Sequence, residues 1–175
     1  MLEVLLVRHG QTQWNKERRI MGNLPVPLDA VGRGQSEALA RFLKKIPINV
    51  CYTSPAVRAV ETAKLITHGR RIPIINAWEV LEIDYGEWVG KRFDEVTNQP
   101  AYRLYHATPK KSRPPKGESM LQVRRRCVAF IERLRKRHRK GRVMVVSHAD
   151  IIKTILTYCL GLDLNDLQRF RIDNG

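Results

Sequence analysis

The stretch LLVRHGQTQWN, residues 5–15, sets an apolar run directly against Arg8, His9 and Gly10. Leu2–Val7 is mostly aliphatic and of strand length, bounded by a glycine-containing segment, so it reads as a strand buried in a sheet. Arg8 and His9 then stand at its carboxyl end. Open α/β sheets bind their ligands at that end of their strands. Two polar side chains at the tip of one strand carry weight only if other parts of the chain deliver functional groups to the same edge.

Three more apolar segments, Ile48–Thr53, Ile72–Ile75 and Val143–Val146, read as strands, and their near-continuous apolarity predicts cover on both faces. Helical patterns lie between them. Asp29 reads as the N-cap of a helix that buries Ala38, Leu39, Phe42 and Leu43, and Ser54-Pro55 as an N-cap followed by a first-turn proline. Met120 to Leu134 places Met120, Cys127, Ile131 and Leu134 on one stripe. Ala149 to Leu160 does the same with Ile151, Ile152, Ile155, Leu156 and Cys159 before Gly161 ends it. Strands alternating with helices predict an α/β fold, a three-layer α/β/α sandwich on a mostly parallel sheet. The 175 residues suit a single domain. Residues 89–116 hold Pro100, Pro109, Pro114 and Pro115, with a short helix-compatible stretch near Arg92–Thr97, and are expected to form an excursion over the active site.

The formal net charge of +15 is concentrated in Lys110–Lys116 and Arg124–Arg142. Such a surface attracts anions of every kind, from phosphorylated metabolites to nucleic acid. A basic nucleic-acid-binding protein is the alternative of another class, but aromatic residues do not interleave with the basic runs, which argues against base stacking. No apolar run approaches the roughly 18 residues of a membrane span. The N-terminus lacks the basic region of a signal peptide. Three cysteines, Cys51, Cys127 and Cys159, without metal-type spacing fit reduced, mostly buried thiols and a cytoplasmic location.

Arg58 lies one helical turn beyond the strand ending near Thr53, and His148 directly follows Val143–Ser147. Two histidines and two arginines therefore arrive at one edge of the expected sheet. Guanidinium groups are forked, permanently charged donors that match phosphoryl oxygens. A neutral imidazole, with an ordinary pKa of about 6.5, can attack phosphorus. The other histidine, kept protonated by the phosphate, would stabilise charge on the transferring group. The departing alkoxide needs a proton, and Glu79, Glu82, Asp84 and Glu87 all compete to supply it.

Five elements occur in order: Arg8-His9-Gly10 with Trp14-Asn15, Ser54-Pro55 with Arg58 and Glu61-Thr62-Ala63, Leu81-Glu82 with Asp84-Tyr85-Gly86, Trp88 and Gly90, Gly117-Glu118-Ser119, and Ser147-His148. Together they resemble the histidine phosphatase superfamily, the phosphoglycerate mutase-like proteins. The resemblance implies a phosphoglycerate mutase-like fold and a phosphohistidine on His9. It implies phosphate binding by Arg8, Asn15, Arg58 and His148, and selects Glu82 as the proton donor. It implies a metal-independent phosphomonoester hydrolase without a cofactor, acting on a small anionic phosphorylated metabolite, with no membrane partner and with room for a homodimer. Only 30 residues separate Gly86 from Gly117, a short interval that resembles the phosphatases more than a phosphoglycerate mutase, which is the alternative. Phe170–Gly175 (FRIDNG) is similar to the segment before the last strand of small-molecule members such as α-ribazole phosphatase and metal-independent phosphoserine phosphatase. That final strand is expected to be missing from residues 1–175.

Overall fold

The computed structural model describes residues 1–175. Its chain order is β1 (Leu2–Arg8), α1 (Gln13–Lys16), α2 (Ala30–Phe42), β2 (Val50–Thr53), α3 (Val57–Thr67), β3 (Ile74–Asn76), α4 (Phe93–Val96), α5 (Pro100–Ala107), α6 (Met120–Arg137), β4 (Gly141–Ser147) and α7 (Ala149–Cys159). The strands form one parallel sheet in the order β1-β4-β2-β3. Side chains alternate across a strand, and β4 shows the result. Val143 and Val145 face a core built with Phe130, Leu134 and Ile155 of α6 and α7. Met144 and Val146 face the other way, onto Ala59, Ala63 and Ile66 of α3 and onto Leu43 at the end of α2. Two cores on two faces make the expected three layers.

The pairing register positions the site. Arg8 lies opposite Ser147, and Thr53 opposite Val146. His9, His148 and Ser54 are therefore the first residues beyond three adjacent strand ends. Gly10 turns the chain away from β1 under tight constraint: a Cβ there would fall on the carbonyl oxygen of Gly32 in α2. The Gly10 amide is bound by Thr62 Oγ1 of α3 at 3.0 Å, and the Gln11 amide by Gln35 Oε1 at 2.9 Å. Gly86, at φ +52, similarly lies where a Cβ would strike the Pro115 carbonyl. There the Glu87 amide donates to Pro115 and the Glu118 amide to Asp84, which ties the Tyr85-Gly86 element to the Gly117-Glu118-Ser119 element.

Several sequence expectations are corrected. α3 starts at Val57 behind an Ala56 cap. Ser54 does not cap it, because its hydroxyl is used within the site, accepting from the Ala56 amide at 3.3 Å and pairing with His148. The buried stripe of α2 is Gly32, Ser36 and the half-buried Leu39, ending on Leu43; Ala38 is exposed, and Phe42 is 75% exposed. β3 is an edge strand with Ile74 and Ile75 exposed, so cover on both faces fails there, where one side has no neighbour. Cys159 is exposed at the end of α7, while Cys51 and Cys127 are buried as expected. Residues 89–116 contain two helices, because Pro100 opens α5 at its first turn instead of breaking it. No helix is long and apolar enough to cross a membrane.

Alanine at two glycines should act in opposite directions. Gly34 lies in the exposed interior of α2 with nothing within 4 Å of an added Cβ, so Gly34→Ala should add up to about 1 kcal/mol and raise Tm by roughly 2–4 °C. Gly10→Ala must push the β1 loop off Gly32 and should lower stability by about 1–3 kcal/mol. Thermal melts of both variants against the parent check the two signs.

Candidate active site

His9 is buried at the carboxyl end of β1, and its own amide donates to the Ser147 carbonyl of β4 at 2.9 Å. The ring nitrogen Nδ1 lies 2.7 Å from the Gly10 carbonyl oxygen. A carbonyl can only accept, so Nδ1 carries the proton and the neutral ring keeps its lone pair on Nε2. Burial, reinforced by the positive charges of Arg58 and Arg8, lowers the His9 pKa to about 3. His9 is thus a neutral imidazole with a defined tautomer at physiological pH, which is the form a nucleophile requires.

His148 sits beside it, ring centroid to ring centroid 5.2 Å, at the N-cap of α7. Its Nδ1 accepts from Arg58 Nη2 at 3.2 Å, and its Nε2 then donates to Ser54 Oγ at 2.8 Å. Burial first, and the Arg58 charge next, push its pKa well below the ordinary value. The sequence expectation of a protonated second histidine therefore does not describe the phosphate-free arrangement. A proton on Nδ1 would have to displace the Arg58 bond.

Arg58, fully buried in the first turn of α3, also donates to the carbonyls of Gly22 at 2.8 Å and Leu24 at 3.3 Å. Half-buried Arg8 donates to the Ile172 carbonyl at 2.7 Å. Neither arginine has a carboxylate within ion-pair distance, and Nε of Arg8 and Nε of Arg58 are the only buried side-chain nitrogen or oxygen atoms without a hydrogen-bond partner. Buried charges are normally paired and buried donors normally satisfied. Two guanidinium groups without a carboxylate partner, close enough to lower the pKa of His9, make this edge of the sheet electropositive and suited to an anion.

A cavity of about 290 Å³ opens over this group, lined among others by Arg8, Asn15, Arg18, Glu82, Asp150 and Asn174. Asn15 caps α1 reciprocally with Thr12, its Oδ1 accepting from the Thr12 amide at 3.1 Å, which leaves its amide nitrogen available to the cavity. His9, Arg58 and His148 are buried behind the lining. The five proposed catalytic and phosphate-binding side chains other than Asn15 come from strand ends, from the first turn of α3 after β2, or from the segment following β3.

The structure discriminates among the four carboxylates. Glu79 is paired with Arg133, Glu87 with Lys116, and Asp84 turns back onto the Gly86 amide. Glu82 alone enters the cavity, with Oε2 3.6 Å from His148 Nδ1, too long for a hydrogen bond. Burial, and then the neighbouring Asp150 charge, raise its pKa to about 7 against the opposing pull of Arg58 and Arg8. A carboxyl group at that value is suited to give and take a proton near neutrality. Its backbone is held by Arg126, which donates to the Glu79 and Leu81 carbonyls at 2.7 Å each and is clamped bidentately by Glu118 at 2.8 and 2.9 Å. One member of the basic run 124–142 is therefore an internal brace. No three His, Cys, Asp or Glu side chains converge as a metal site.

Sequence reasoning missed three participants. Asp150 lines the cavity from the first turn of α7, its Oδ2 accepting from Tyr85 at 2.7 Å and its Oδ1 3.4 Å from Lys153 Nζ. Its place two residues after His148 was the available signal. Asn174 donates to the His9 carbonyl at 2.9 Å, so the FRIDNG segment reaches back over the strand end. Ser54 orients His148, a role that its reading as a helix cap concealed.

Comparisons with known proteins bear on the fold and the family. Phosphoserine phosphatase 1 of Hydrogenobacter thermophilus is 34% identical over 177 aligned residues, covering 100% of this chain and 84% of its own. The adenosylcobalamin/alpha-ribazole phosphatase of Salmonella typhimurium is 28% identical, covering 99% of this chain and 87% of its own. The solved structure of Bacillus stearothermophilus YhfR superposes with a TM-score of 0.93 at 31% identity, covering 100% of this chain and 88% of that one. Residues 4–175 match the family model of the histidine phosphatase superfamily, branch 1, and the chain belongs to that family.

Proposed function

We propose that this chain is a metal-independent phosphatase that hydrolyses a small anionic phosphomonoester through a phosphohistidine on His9. The observation that carries the reading is the pair of unpartnered buried guanidinium Nε atoms of Arg8 and Arg58 beside a neutral His9. A phosphoryl group supplies the counter-charge that both guanidinium groups lack.

Nε2 of His9 attacks phosphorus with its lone pair while the bond from phosphorus to the ester oxygen breaks. Glu82, protonated at its raised pKa, gives its proton to that oxygen, and the alcohol leaves. Water then attacks the phosphohistidine, ionised Glu82 takes a proton from it, and the phosphorus–nitrogen pair returns to Nε2 as phosphate is released. Arg8, Arg58 and Asn15 hold the equatorial oxygens. The phosphoryl charge offsets the field of Arg58 on His148, so that His148 takes up a proton from solvent on Nδ1 in place of the Arg58 bond and, keeping that proton, hydrogen-bonds to the transferring group. Residues 89–116 wall the cavity through Phe93, whose amide is tied to the Arg18 carbonyl at 2.9 Å.

Purified protein should hydrolyse p-nitrophenyl phosphate equally with and without EDTA, and His9→Ala should leave essentially nothing; full activity in that variant, or loss in EDTA, rejects the mechanism or its metal independence respectively. Glu82→Gln should cost about 10² to 10⁴ in rate on alkyl phosphates, and less on p-nitrophenyl phosphate, whose anion leaves without a proton. Because Glu82 must be protonated to act as acid, kcat/KM for an alkyl phosphate should fall as pH rises through about 7, whereas His9, with its pKa near 3, should impose no acid limb above that value. A pH–rate profile in which Glu82→Gln keeps the alkaline fall would remove Glu82 from that role. Product analysis with 3-phosphoglycerate should find inorganic phosphate; 2-phosphoglycerate without phosphate release would favour the mutase alternative.

A further inference from the structure

α1 ends in a paired hydrogen-bond closure in which the Arg18 amide donates to Asn15 at 3.1 Å and the Arg19 amide to Trp14 at 2.9 Å. The residue that makes this closure adopts a left-handed backbone, and helices usually place glycine there. Here it is Arg18, at φ +57, one of only two non-glycine residues with positive φ. A glycine would close the helix without strain, so the turn does not require this side chain.

Packing does not require it either. Arg18 is exposed and its guanidinium forms no hydrogen bond or ion pair, whereas its neighbours at the cavity mouth are neutralised, Arg19 by Glu17 at 2.8 Å and Arg92 by Asp94 at 3.3 Å. Arg18 is also the residue shared by two adjoining hollows. It lines the cavity that holds Arg8, Asn15 and Glu82, and it lines a second hollow of about 180 Å³ with Arg92, Asp94 and Thr97. A free forked cation thus stands at the junction between the phosphoryl site and the space beyond it.

We propose that Arg18 is a specificity-determining residue that binds a second anionic group of the substrate, remote from the reacting phosphoryl. The inference rests on the phosphatase reading above and narrows it to phosphomonoesters that carry another negative charge. A planar guanidinium pairs bidentately with a carboxylate, and a carboxylate is the probe of choice.

The test compares 3-phosphoglycerate with glycerol 3-phosphate, in which a hydroxymethyl group replaces the carboxylate, as inhibitors of p-nitrophenyl phosphate hydrolysis. The parent should bind 3-phosphoglycerate the more tightly. Arg18→Gly should erase that preference, weakening 3-phosphoglycerate by about tenfold relative to glycerol 3-phosphate, the size of one charge-assisted contact. Arg18→Lys should keep part of the preference, and Arg18→Gly should melt no lower than the parent. Equal binding of the two inhibitors by the parent, an unchanged ratio in Arg18→Gly, or an equal loss for both would overturn the proposal, as would a lowered Tm, which would assign the side chain to the fold. Failure of the underlying reading shows elsewhere, as p-nitrophenyl phosphate hydrolysis that survives His9→Ala.

Discussion

The pairing of β1 with β4 along seven residues, with β2 on the other side of β4, is the constraint on which the site depends. It ends three parallel strands within one residue of the same level, so that the next residue of each, His9, His148 and Ser54, is delivered to the same edge. No long-range side-chain contact is needed to bring the histidines together; the backbone ladder does it. The glycine that follows His9 can then turn away only because α2 presents a glycine of its own at the contact.

Charge burial is the second organising effect. Burial, reinforced by two arginines without carboxylate partners, holds both histidines neutral, and the same arginines pull against the burial that raises Glu82. The three groups are set by one field. Cations strong enough to bind a dianion would, without that burial, keep Glu82 ionised and useless as an acid. The value of about 7 results from burial, with Asp150 adding to it, outweighing the arginines that pull the other way.

Much of this was legible in the sequence, for a definable reason. Strand-like apolar runs ending in Arg8-His9 and Ser147-His148 locate groups by backbone register, which sequence periodicity reports. Arg58 follows from one helical turn. Glu82 was not separable from Glu79, Asp84 and Glu87 by spacing, because their distinction lies in partners supplied by α6 and by the 115–118 turn; only the family resemblance singled it out. Asp150 and Asn174 were silent because their roles come from what faces them across the fold. The reading of Phe42 as core failed since a helical stripe can be misphased by one position while still looking amphipathic, and α5 was missed because a proline that opens a helix looks like one that prevents it.

The fixed tautomer of His9 has a consequence for how such a protein changes over time. The ring is oriented by the carbonyl of the next residue, a group that every amino acid supplies, and not by a side chain that substitution could remove. The reacting atom is therefore insulated from drift in the cavity wall, where Arg18, Phe93, Asp150 and Asn174 sit. A substitution at Arg18 or Phe93 can therefore reshape the cavity without removing the group that orients the His9 ring.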